Sequence, residues 1–343
     1  MTTQMTPYDA SAWAEIEEWR HGRLSASGRR LVPGQIRAWF ASGGRVAKEK
    51  FASLPGAAEF EAIFLKTLDG LMDLGSRAAM ASVRDGAIIE AFKRRGHDVE
   101  DIEDIKRLEL RDVDKVKPNL ALAYTSASTL EGAAAGFAIS GGEAMAAAGT
   151  VLGVGVGGAP GVGTVVGVMA ADAAAVLVAA NRAVAHTAAY YGYDLNKPDE
   201  RLFALAVLSM GTAAETGKAA AYIELNKLVQ MLARRATWDQ LRQSTVTRVI
   251  EKVFTRLGFI ITQRKLGQAV PLIGGLIGAG MNARLLLSVV DDADMIYRER
   301  FLRERYGVAV APVSGTPADE AEVIHIAEIL EEESDGDPPS ASA

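Results

Sequence analysis

From residue 144 to residue 171 the chain carries no charged side chain, a run of 28 positions inside a longer stretch between Lys117 and Arg182 that has no base. As one straight helix that run would reach ~42 Å, and a bilayer needs only about 20 apolar residues to be crossed. Gly157-Gly158-Ala159-Pro160 interrupts it. The glycines favour a stop, and proline favours a start because its missing N–H falls where a helix needs no partner. The spacing therefore predicts a helical hairpin, with arms over about 128–156 and 160–191. Glu143 and Asp172 hold each arm well under about 20 uncharged residues, which excludes two ordinary membrane spans. Two uses stay open: a central helix pair in a water-soluble core, or an amphitropic hairpin that meets a membrane.

Gly149, Gly153 and Gly157 recur every four residues and share one face of the first arm, with an echo at Gly274 and Gly278. Each glycine costs a helix about 0.5–1 kcal/mol relative to alanine, so close backbone packing must offset the run. That face is a candidate lipid-binding or ligand-binding surface.

The remaining pattern predicts an all-α chain. Helical spacings recur at Trp13, Ile16 and Trp19, at Ile63, Phe64, Leu68, Leu71 and Met72, and after Pro198 at Leu202, Phe203, Leu205 and Leu208. Val99, Ile102, Ile105 and Leu108 read as an exposed amphipathic connector, Thr237 to Gln240 as a capped helix start, and Gly258 as an interruption of the helix that follows. Pro271 introduces a last long helix that Tyr306-Gly307 closes. The divisions expected are an N-terminal segment at 1–32, a helical domain at 33–310 that contains the hairpin at 128–191, and an acidic flexible tail at 311–343 with a marginal helix near 323–330.

Charge sharpens that division. Nine acids and no base lie between Asp319 and Asp337, leaving 34 acids against 37 bases in the rest of the chain. Without a dense basic face, duplex nucleic acid is not an expected partner. The 49% hydrophobic composition is globular, and the absence of Cys excludes thiol chemistry, disulfides and Cys-held metals. The acidic start of the chain is no secretory signal, so a cytoplasmic protein is expected.

No motif names a reaction. Gly153 to Gly158 satisfies a dinucleotide-binding spacing without its strand–turn–helix context. Gly211 to Lys218 fails the phosphate-loop pattern, with five residues between its glycines and Ala219 in place of the hydroxyl. No metal or cofactor is expected. The suggestive polar residues are those stranded on apolar helices: Glu131, Glu143, Asp172, Arg182, His186, Asn282 and Arg284. Buried charges need partners, and Arg284 is a candidate for Asp172.

Glu131-Gly132, the glycine-rich turn leading to Ala171-Asp172, Tyr191-Gly192-Tyr193-Asp194, and Ala269 to Gly274 followed by Asn282, Ala293, Tyr297 and Arg300-Phe301-Leu302 together resemble the EcsC family over residues 33–305. Ala171 departs from the pattern, which more often has proline there. The family is named for a protein encoded beside the ATPase and membrane subunits of an ABC exporter, so the resemblance implies a membrane or a membrane protein as partner and supplies no catalytic residues.

The expected function is a non-enzymatic accessory protein associated peripherally with the cytoplasmic face of a membrane, beside lipid or transporter subunits. Gly149, Gly153, Gly157, Asp172, Arg182, Asn282 and Arg284 are its candidate binding residues. Lys227, Arg234, Arg235, Arg242, Arg248, Lys252, Arg256, Arg264 and Lys265 are candidate contacts for anionic headgroups. The alternative is a lipid-acting hydrolase or transferase whose pocket is formed by Glu131, Asp172, Tyr191, Tyr193 and Asp194, since carboxylates and phenols do acid–base work when burial tunes them.

Overall fold

Pro198 occupies the first turn of a helix, where its missing N–H costs nothing, and Asp199 and Glu200 beside it favour the positive end of the helix dipole. That helix, Pro198–Thr212, is buried at every position from Leu202 to Thr212. Its sequence allows this because every side chain from Leu202 onward is apolar or small, with only Ser209 and Thr212 polar among them. The sequence reading predicts an amphipathic helix here; the structure encloses it on all sides.

The computed structural model describes residues 4–24, 83–128, 162–215, 217–234, 243–268, 276–308 and 323–335. These form α1 (Pro7–Leu24), α2 (Asp85–Lys93), a 3-10 helix (Ile102–Arg107), α3 (Leu110–Val116), α4 (Leu120–Ser128), α5 (Val162–Tyr190), α6 (Pro198–Thr212), α7 (Lys218–Arg234), α8 (Gln243–Gln268), α9 (Leu276–Tyr306) and α10 (Ile326–Asp335). The chain is all-α, a single helical domain with no strand among the described residues.

Helix α6 lies among α5, α7, α8 and α9, and α9 also packs on α1 and α4. One apolar core joins these layers, from Ile16 through Leu177, Leu208 and Leu228 to Val289 and Leu330. Gly211 sets the closeness of α6 and α9: a Cβ there would stand 2.9 Å from the Val289 Cα. The first hairpin arm and its turn lie outside the described residues. The second arm is described as α5, and from Ala173 to Ala189 its Ala, Val and Leu side chains fill the core.

Three details differ from the sequence reading. Val99, Ile102 and Ile105 do not belong to an exposed connector: they are buried beneath a 3-10 turn that Asp101 and Asp104 cap reciprocally, while the neighbouring acids face outward. Gly258 does not break α8, which runs unbroken to Gln268. Part of the expected flexible tail is docked: α10 packs on α7 and α8, and Ile326, Ile329 and Leu330 on it, with Ile324 just before it, are buried. Periodicity foretells that helix; its apolar stripe of closely spaced residues gives it a place to bind.

Candidate functional site

Helix α5 ends where Gly192 takes φ +84°, with Gly192 N–H donating to the Ala189 carbonyl at 3.0 Å and Tyr193 N–H to the Ala188 carbonyl at 3.0 Å. This double closure satisfies the helix end. It also turns Tyr191 and Tyr193, on either side of the glycine, into the core. A side chain at 192 would meet the Lys106 backbone N at 3.0 Å and the Ile102 carbonyl at 3.1 Å.

The two tyrosines then diverge. Tyr191 donates to Asp294 Oδ1 at 3.0 Å and accepts from Lys117 Nζ at 3.0 Å, while Lys117 and Asp294 form a short ion pair. Phe301 closes against its ring at 6.1 Å. Tyr193 has Lys106 Nζ and the Arg300 guanidinium each 4.2 Å from its ring centroid, and it lies against Tyr297 at 5.3 Å. Asp194 closes the next turn, accepting from Asn196 N and Nδ2 at 2.8 Å each. Burial pushes both phenols well above their ordinary pKa; Asp294 adds to this at Tyr191, whereas Arg300 opposes it at Tyr193. Neither is prepared to act as a base.

The polar centre of the molecule runs along α9, and sequence reasoning missed most of it. At its first station Lys218 is fully buried and donates to the Met210 and Gly211 carbonyls at 2.8 Å each, to Ser288 Oγ at 3.2 Å and to Asp292 Oδ2 at 2.6 Å. Its ammonium therefore closes the C-terminus of α6, where the helix dipole is negative. Burial lowers its pKa, and Asp292 opposes that shift. Arg23 reaches the other Asp292 oxygen at 2.9 Å from α1. The lysine of the failed phosphate-loop motif is thus turned inward onto carbonyls.

Further along α9, Glu299 gathers Arg20 at 2.8 Å, Arg303 at 2.5 Å and the Tyr222 hydroxyl at 3.0 Å; burial pushes that phenol up to about 12. Arg300 binds both oxygens of buried Glu200, at 2.6 and 2.8 Å. Arg298 joins Asp114 at 2.7 Å and Glu15 at 3.2 Å. Together these carboxylates tie α9 to α1, α3, α6 and α7. Residues 292 and 299 are seven apart and 299 and 303 four apart, so all three share one helix face, a signal present in the sequence but hidden without knowledge of which faces meet.

Of the sequence-predicted set, Tyr191, Tyr193 and Asp194 are neighbours along one turn but bind different partners. Glu131, Glu143, Gly149, Gly153 and Gly157 lie outside the described residues, as do the side chains of Asp172 and Asn282. Arg284 is exposed on α9. Arg182 is half-buried on α5, one turn from His186, whose Nδ1 is 2.7 Å from the Tyr124 hydroxyl. Among the headgroup candidates, Lys227 pairs with Glu224 at 2.5 Å, Arg248 and Lys252 meet Glu333, and Arg256 is exposed. Arg235 and Arg242 lie outside the described residues, as do the side chains of Arg234, Arg264 and Lys265. Among the described residues no three His, Asp or Glu side chains gather to hold a metal ion, and no helix is long and apolar enough to cross a membrane.

Residues 142–302, which hold α5 through most of α9, match the model of the EcsC protein family. A stretch of 208 residues, 60% of the chain, is 27% identical to the uncharacterized protein YdbA of Bacillus subtilis (strain 168) and spans 64% of that protein's length. No solved structure matches the chain.

Proposed function

From the match of residues 142–302 to the EcsC family model, we propose that the chain is a non-enzymatic helical accessory protein working at the cytoplasmic face of a membrane, beside lipid or the subunits of an ABC transporter. One observation carries this reading: the uncharged run of residues 144–171 ends inside α5, and α5 is held in the core from Ala173 onward. Whatever that run touches is coupled mechanically to α4, α8 and α9. The ion pairs along α9 support an accessory role, because their charges neutralise one another and join helices.

The test is sedimentation of the full chain with vesicles, comparing it with a Val154→Glu/Val156→Glu variant. Hairpin insertion gives binding that resists high salt, and the two carboxylates abolish it while far-ultraviolet circular dichroism stays unchanged. A folded variant that still binds in high salt would overturn the mechanism.

A further inference from the structure

Helix α10 has ten residues, fewer than the twelve to fifteen at which isolated helices become even marginal in water. It is helical because it is docked. Ile324, Ile326, Ile329 and Leu330 bind the shelf made by α7 and α8, which leaves the acids to fall elsewhere. Glu333, one turn beyond Leu330 at i+3, meets both Arg248, at 3.1 Å, and Lys252 on α8. Its carboxylate side chain is only 12% exposed, whereas Arg248 and Lys252 remain 40% and 48% exposed. Arg248, Lys252 and Arg256 recur at every fourth position of α8, so the last, also exposed, continues the same stripe.

We propose that this α8 stripe is a contact surface for an anionic lipid membrane, and that α10 is its built-in competitor. Three features point to a competitor in place of a simple brace. The acids of 319–337 are nine against no base, so the segment imitates a polyanionic surface. Its apolar anchor and its acidic contact occupy separate positions of one short helix, so loss of the anchor melts the helix and withdraws the Glu333 carboxylate from Arg248 and Lys252 together. With these acids withdrawn, the rest of the chain passes from net negative to 37 bases against 34 acids. Since a cation near an anionic surface contributes about a fivefold gain in binding, removing the carboxylate that competes for these two has a measurable effect.

This proposal rests on the membrane reading above and deepens it, so the experiment separates the two. The full chain is sedimented with phosphatidylcholine vesicles, with and without phosphatidylserine, at low and high salt. Glu333→Gln raises binding to the anionic vesicles several-fold at low salt, with no gain on neutral vesicles or at high salt. Leu330→Asp, which undocks the helix, gives a larger gain. Arg248→Gln with Lys252→Gln removes both gains. Hydrogen exchange confirms that Leu330→Asp releases α10 while protection in α6 is kept. The proposal is overturned if neither variant gains binding, if the gain survives loss of the two bases, or if soluble polyglutamate removes it as well as phosphatidylserine recruits it. Loss of salt-resistant binding in Val154→Glu/Val156→Glu with no effect of Glu333→Gln leaves the hairpin reading standing and sinks this one. The opposite pair of results supports the stripe and sinks the hairpin.

Discussion

Lys218 has four acceptors and no water-facing surface, so its charge is held by Asp292 and by the carbonyls that end α6. Removing one member of such a set leaves the others buried and uncompensated. Asp292→Asn strips the counter-charge from Lys218 and leaves Arg23, among the described residues, with Glu215 alone, and a loss of about 3–5 kcal/mol in urea denaturation is expected. A Lys218→Met/Asp292→Leu double variant recovers part of it, because apolar side chains of similar volume carry no desolvation cost. His186 is a residue of the opposite kind. Burial, aided by Arg182, pushes its pKa down to about 4 from 6.5, and its Nδ1 shares a 2.7 Å hydrogen bond with the Tyr124 hydroxyl. The folded state takes up the proton later than the unfolded chain, so this residue leaves stability untouched above pH 6.5. Between 6.5 and 4 it removes up to about 3 kcal/mol as pH falls. Denaturation midpoints of the wild type and His186→Gln, taken from pH 7.5 to 4.5, should converge on acidification.

At the scale of the element, two glycines fix how helices meet. Gly211→Ala sets a methyl 2.9 Å from the Val289 Cα, and since both atoms belong to helix backbones neither can turn aside. A cost of about 1–3 kcal/mol, seen as a lower thermal midpoint, is expected. Gly192→Ala combines a clash with Lys106 and Ile102 backbone with a left-handed φ, and should cost at least as much. Elements of this sort also show what the sequence could disclose. Apolar spacing and proline placement foretold α1, α6 and α9, because those signals are local. The enclosure of α6 on every side was hidden, since whether Ser209 and Thr212 face water depends on helices far along the chain. The candidate site divides the same way. Tyr191-Gly192-Tyr193-Asp194 stood out as a motif, and its turn chemistry is local. Lys117, Asp292, Asp294 and Glu299 carry no local signal, for only the packing of α9 reveals which charges meet across helices.

In the molecule as a whole, stability is distributed unevenly. Helix α6 is enclosed, whereas α10 is fastened by one apolar stripe and a few ion pairs that salt weakens. Native-state hydrogen exchange should therefore show α10 amides exchanging orders of magnitude faster than those of α6. Long-range ties join the first helix to the last long one: Arg20 to Glu299, Arg23 to Asp292, and the Tyr306 hydroxyl to Asp9 at 2.5 Å. During synthesis these partners are born far apart in time. At about 5–20 residues per second, α1 leaves the ribosome roughly 15–60 seconds before the residues that neutralise it exist. Its arginines and its buried Asp9 must spend that interval in water or in the care of a chaperone, and the nascent chain gains its finished core only when translation is nearly over.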